Sequence, residues 1–104
     1  LILSYASLIK KKAIQWFTRR RILYLILDEA HEIRNHATIR AKECFNLGSR
    51  SMYRLILSGT PIHNDVSDVW SLFRFLMPGY LGSFASFENN TAKAIRAAKG
   101  TWKF

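Results

Sequence analysis

Apolar residues fall along this chain in two alternating rhythms, short unbroken runs and runs spaced by three and four, and that alternation predicts strands interleaved with helices. Residues 1–4 read as a short strand. Tyr5, Leu8, Ile9, Ala13, Trp16 and Phe17 then recur at helical spacing, with Lys10, Lys11 and Lys12 falling mostly between them, which predicts one amphipathic helix over 5–17. Arg19-Arg20-Arg21 leads into the apolar run 22–27, and a loop follows through Arg34-Asn35. A helix over 37–47 puts Ala37, Ala41, Cys44 and Phe45 on one face, with Gly48 as its terminator. Residues 52–57 form the third apolar run. Val66, Val69, Trp70, Phe73, Leu76 and Met77 follow an i, i+3, i+4, i+7 course, with Ser67, Asp68, Ser71 and Arg74 off that face and Asn64 or Asp65 as cap, and Pro78-Gly79 stops this helix. A turn from Tyr80 leads into 84–90 and then a basic, Ala-rich helical stretch over 91–99.

Strands alternating with helices favour a parallel sheet. Right-handed crossovers would lay 1–4, 22–27 and 52–57 side by side in that order, with Asp28 and Ser58 at one edge. Aromatic residues on the apolar helical faces, Trp16, Trp70, Phe73 and Phe75, are expected in the core.

Composition narrows the partners more than the fold. With 104 residues and 49% hydrophobic content, the chain suffices for one small and marginally stable domain. Lys and Arg outnumber Asp and Glu by 16 to 7, a net charge of +9, which favours a polyanion such as nucleic acid. The single cysteine, Cys44, cannot form an internal disulfide and points to a reducing compartment, and no apolar run approaches the roughly 18 residues of a membrane span. The chain has no initiator methionine and opens within a strand-like run, so it is expected to be a piece of something longer. His36 and His63 lack cysteine or acidic partners at ligand spacing, which argues against zinc.

The chemistry concentrates where two apolar runs end. Asp28-Glu29-Ala30-His31 closes the second run, and Ser58-Gly59-Thr60-Pro61 closes the third about thirty residues later. Phosphoryl transfer to water needs a divalent ion on the phosphate oxygens and a group that orients the attacking water. Asp28 suits Mg²⁺, directly or through water, because that ion keeps several waters beside one or two carboxylates. Glu29 can polarise the nucleophilic water, and His31 can bond across to the loop after the third run. Ser58 and Thr60 supply hydroxyls, Gly59 a residue free to take positive φ, and Pro61 a fixed turn. Taken singly, each segment reads more readily as an acidic pair after a strand, or as a strand-to-helix turn with a cap. Their shared position at strand ends reverses those odds.

These residues resemble the Swi/Snf-type ATPases of helicase superfamily two, which pull double-stranded DNA past bound proteins. Asp28-Glu29-Ala30-His31-Glu32-Ile33-Arg34-Asn35 is similar to the family's Asp-Glu-x-His segment with its basic-Asn pair. Leu57-Ser58-Gly59-Thr60-Pro61-Ile62-His63-Asn64 is similar to its Leu-Ser/Thr-Gly-Thr-Pro-Ile/Leu-Gln-Asn segment, and Ser4-Tyr5 matches a Ser-Tyr pair ending an earlier strand. Residues 69–78 resemble the helix that follows, and 75–82 look most like the branch that removes TATA-binding protein from DNA.

The resemblance implies an α/β fold, a partial RecA-like lobe with a short parallel sheet and crossover helices, three-layered but incomplete. Residues 1–82 would be the partial ATP-binding lobe and 83–104 a basic tail continuing it. It implies catalytic Glu29 and Asp28; ATP contacts at Asp28, His31, Ser58, Gly59 and Thr60; Mg²⁺ at Asp28; and DNA contacts at Ser4, Arg34 and Asn35. The implied partners are double-stranded DNA and TATA-binding protein or another DNA-bound protein, in the nucleus and away from membranes.

Two departures are local: His63 stands where the family has Gln, and Ala30 where the branch has Gly. A larger one is that no Gly-x-x-x-x-Gly-Lys-Ser/Thr loop occurs, so the chain alone is expected to turn over negligible ATP. The basic clusters 10–12 and 19–21 could bind phosphates, but each taken singly reads more readily as a solvated helix face or a favourable cationic helix end, with a nuclear-localisation-like patch as a further reading. A non-catalytic basic module derived from such an ATPase is the alternative.

Overall fold

The computed structural model describes residues 1–59 and 66–98. At its centre two parallel strands, β1 (Ile22–Leu27) and β2 (Ser51–Ile56), pair in the register Ile22↔Ser51 through Leu27↔Ile56. A parallel pair needs a crossover, and α3 (Ile39–Ser49) supplies it. Thr38 starts that helix by accepting the Ala41 N–H at 3.1 Å, two residues later than the apolar period predicts.

Alternation along each strand sorts side chains between two faces. Leu25, Leu27 and Ile56 turn to the main core, among Phe17, Ala30, Ile33, Cys44, Leu47 and Phe75. On the other face Tyr24 and Tyr53 stack at 5.0 Å, and Ile26 and Leu55 stand about half exposed. The described residues thus cover one face of the sheet with helices and leave the second open, in keeping with the incomplete three-layer lobe expected.

The sheet has two strands among the described residues, because 1–4 form none: Leu1, Ile2 and Leu3 are exposed and Ser4 caps α1 (Tyr5–Leu8) through the Ser7 N–H at 3.1 Å. The expected 5–17 helix is broken into α1 and α2 (Lys11–Thr18), with Lys10 extended at ψ 141°. Nine residues of continuous helix would turn Leu8 and Phe17 about 180° apart. The break lets both reach the same core. Trp16 consequently faces solvent, 43% exposed, with the Arg20 guanidinium 3.9 Å from its ring centre, a correction to its expected place in the core.

Gly48 does not end α3; it lies inside it and is buried. A Cβ there would meet two ring carbons of the fully buried Phe75 at 2.9 Å. Gly48→Ala should therefore lower stability despite the ~1 kcal/mol that alanine gains in a helix, since overpacking costs about 1–3 kcal/mol. Thermal unfolding of the variant should show a lower midpoint; an unchanged or raised midpoint would contradict the close contact.

From α4 (Ser67–Leu76) Phe75 enters the main core, and Trp70 seeds a second cluster with Phe87 and Ala92. Ser71, expected on the polar face, is fully buried, and its hydroxyl donates to the Arg34 carbonyl at 2.9 Å. Pro78-Gly79 does stop the helix, with Gly79 at φ +87° and Gly82 at φ +73° turning the chain. The Trp70 indole N–H donates to the Gly82 carbonyl at 3.1 Å. That bond holds the following segment, α5 (Phe84–Ser86), a π-helical turn (Phe87–Ala92) and α6 (Lys93–Ala98), against the body. Asn64 and Asp65, the expected caps, lie outside the described residues. Arg54 closes three elements together: its guanidinium donates to the carbonyls of Leu76 (3.1 Å), Gly48 (2.7 Å) and Ser51 (2.9 Å).

Candidate active site

Both strands run the same way, so their carboxyl ends share an edge, and Asp28 and Ser58 follow those ends. The ladder continues past the strands: Leu57 N–H donates to the Leu27 carbonyl at 2.8 Å, and Ala30 N–H donates to the Leu57 carbonyl at 3.1 Å. Asp28 and Glu29 are therefore pinned beside the start of the Ser58-Gly59 segment. Ser58 is half-buried and Gly59 exposed, with nothing within 4 Å of an added Cβ. Thr60 and His63 lie outside the described residues.

Glu29 carries the one positive φ found outside glycine among the described residues, φ 53° and ψ 54°. A left-handed backbone costs a residue with a Cβ about 1–2 kcal/mol, and it persists only where neighbours hold it. Three bonds do so. Glu29 N–H donates to Asp28 Oδ1 at 2.9 Å, the Tyr5 hydroxyl donates to the Asp28 carbonyl at 2.5 Å, and the Ala30 bond to β2 fixes the far side. Immediately afterwards the expected loop contains a 3₁₀ turn, Ala30–Ile33, whose Ala30 and Ile33 are fully buried. The left-handed residue turns the chain sharply enough to bury Ala30 while Asp28 and Glu29 stay exposed.

His31 Nδ1 lies 3.4 Å from Glu29 Oε2 and its Nε2 lies 4.0 Å from Glu32 Oε1. It faces the carboxylates of its own loop; residues 60–65 of the loop to which a bond was expected lie outside the described residues. Glu32 is also paired with Arg40, whose guanidinium stands 5.8 Å from the Tyr5 ring centre. Burial, helped by the neighbouring Cys44, Glu32 and Asp28, pushes the Tyr5 hydroxyl up to about 12, so it remains a proton donor at neutral pH. Neither Tyr5 nor Arg40 was identified as a site group by motif spacing; the signal for Tyr5 was its place in the Ser4-Tyr5 pair.

The remaining expected contacts have structural duties. Ser4 caps α1, and Asn35 Oδ1 accepts the Ala37 N–H at 3.1 Å to begin the turn into α3. Arg34 is exposed, its carbonyl taken by Ser71.

The donor set fits a hydrated Mg²⁺. Among the described residues no group of three or more His, Cys, Asp or Glu is gathered as a cage for a metal, whereas Asp28 offers an exposed carboxylate at a strand end. That suits an ion that keeps most of its own waters. No helix among the described residues is long and apolar enough to cross a membrane.

Residues 1–103 match the SNF2-related domain. Human TATA-binding protein-associated factor 172 is 45% identical over 86 residues, covering 83% of this chain and 4% of that protein. TATA-binding protein-associated factor mot1 of Schizosaccharomyces pombe is 47% identical over 76 residues, 73% of this chain and 4% of its own. Among solved structures, the Sulfolobus solfataricus SWI2/SNF2 ATPase core in complex with dsDNA matches with a TM-score of 0.74 at 37% identity, over 89% of this chain and 19% of that one. The chain thus spans about 4% of the length of these curated relatives.

Proposed function

Because the chain belongs to the SNF2-related domain family, we propose that it is part of the first RecA-like lobe of an ATP-hydrolysing motor that moves along double-stranded DNA and displaces or remodels protein bound there. The observation that carries this reading is the shared edge: parallel β1 and β2 present Asp28-Glu29 and Ser58-Gly59 side by side, fastened by the Ala30 to Leu57 bond. Residues 1–82 belong to the lobe in this reading, and 83–104 continue it as a basic tail. The anchoring of Phe87 and Ala92 on Trp70 supports that continuity.

ATP and Mg²⁺ are the proposed cofactors, the ion supplying charge neutralisation on the phosphate oxygens when bound. Asp28 would hold it through water. Glu29 would accept a proton from the attacking water, and His31, 3.4 Å from the Glu29 carboxylate, would orient that group. Ser58, Gly59 and Thr60 would border the nucleotide, and Ser4, Arg34 and Asn35 would face the DNA. The relatives' names support TATA-binding protein as the displaced partner, with another DNA-bound protein as the alternative, and a nuclear site of action. With no Gly-x-x-x-x-Gly-Lys-Ser/Thr loop in its sequence, the 104-residue chain alone would hydrolyse negligible ATP.

The test is Asp28→Asn in the full-length protein, followed by binding of a fluorescent ATP analogue with Mg²⁺ and with EDTA. Loss of about tenfold or more in affinity with Mg²⁺, and none with EDTA, is expected. Equal affinity of variant and wild type with Mg²⁺ would refute the role of Asp28.

A further inference from the structure

Tyr5 touches the candidate site without taking part in the chemistry proposed for it. Its hydroxyl meets the Asp28 carbonyl at 2.5 Å, across 23 residues of sequence, and no other side chain among the described residues is recorded bonding to that oxygen. The peptide joining Asp28 to Glu29 is thereby held at both ends, its oxygen by Tyr5 and its N–H by Asp28 Oδ1. Rotation of that one peptide is the simplest way for Glu29 to leave its left-handed conformation, because Ala30 beyond it is fixed to β2. The gain from such a relaxation is of the same order as one hydrogen bond. A single donor can therefore decide which conformation prevails.

We propose that Tyr5 is a positioning residue for Glu29: its hydroxyl locks the Asp28–Glu29 peptide in the orientation that aims the Glu29 carboxylate at the attacking water. The Tyr5 ring is itself fixed, partly buried beside the core and faced by Arg40, which is tied in turn to Glu32. The hydroxyl is protonated at neutral pH as any tyrosine is, and burial, which raises its pKa from 10.0 to about 12, keeps it so well into the alkaline range. This inference rests on the role proposed for Glu29.

Tyr5→Phe in the full-length protein removes the hydroxyl and keeps the ring. With saturating duplex DNA, kcat for ATP should fall about tenfold or more, because misplacing a catalytic group by about an ångström has effects of that size or larger. The KM for ATP should change less than about twofold. In the Glu29→Gln background the same change should have almost no further effect, since a residue acting through Glu29 has nothing left to position. A general packing defect would instead lower activity in both backgrounds. Wild-type kcat in Tyr5→Phe, or a full additional loss on top of Glu29→Gln, would overturn the Tyr5 inference alone. Wild-type turnover in Glu29→Gln would overturn the reading of Glu29 and this inference with it.

Discussion

Glu29→Gln in the full-length protein will lower DNA-stimulated ATP hydrolysis by at least about a hundredfold, some 2.7 kcal/mol of barrier, while ATP binding stays near wild type. The amide keeps the size and the left-handed backbone demand of the glutamate, so the bonds from Tyr5, Asp28 and Ala30 have the same chain to hold. What it lacks is the charge that draws a proton from water. On the roles proposed above Asp28 is untouched, so Mg²⁺-dependent binding should persist, and the two neighbours should separate: one substitution striking kcat, the other affinity. Steady-state hydrolysis with duplex DNA and nucleotide-binding titrations on the same preparation decide the matter. Turnover at the wild-type rate would remove Glu29 from the mechanism.

The second large effect is on stability at alkaline pH. Cys44 is fully buried, and burial, with a smaller push from Glu43 against the opposing Arg40, raises its thiol from 9.0 to about 12. The folded protein therefore favours the neutral thiol more than the unfolded chain does. That contribution is complete below pH 9 and is lost as pH climbs towards 12. At about 1.4 kcal/mol for each pH unit between the two values, it amounts to ~4 kcal/mol at most, a large share of what a small domain has. Tyr5, raised from 10.0 to about 12, acts with the same sign over a narrower window and with more solvent screening. Urea unfolding at pH 7, 9, 10 and 11 under reducing conditions should give a flat stability to pH 9 and a steep fall beyond it. Cys44→Val should remove most of the fall between pH 9 and 10, where Tyr5, whose unfolded value is 10.0, contributes less than the thiol. An identical pH dependence in that variant would show that the thiol is not the titrating group.

Strands β1 and β2, helix α4 and the stop at Pro78-Gly79 were legible because each is set by a local period or a breaker. The parallel pairing and the shared edge of Asp28 and Ser58 followed from alternation of strand and helix. The family and its TATA-binding-protein branch were legible from ordered motifs, and the relatives bear both out. What sequence did not disclose depends on contacts between distant residues. The break at Lys10 exists so that Leu8 and Phe17 can both point inward, a requirement invisible to a period measured along one helix. Gly48 reads as a terminator until Phe75, contributed by another helix, fills the space beside it. Within the site, the carboxylates and the Ser58-Gly59 turn stand together as expected, whereas the left-handed Glu29 and its Tyr5 restraint arise only once α1 meets the end of β1.

Arg54 gives the molecule a form of cooperativity that its small core would not by itself ensure. One guanidinium completes the carbonyls at the last turn of α3, the entrance of β2 and the final residue of α4, three places that would otherwise fray independently. Losing its hold on one of them would be expected to weaken the others, which ties the opening of those ends together. The crossover helix, the strand it delivers and the helix that caps the core are thus fastened at one point, and hydrogen exchange is expected to be slower at those three ends than in α1, α2 and the segment beyond Pro78.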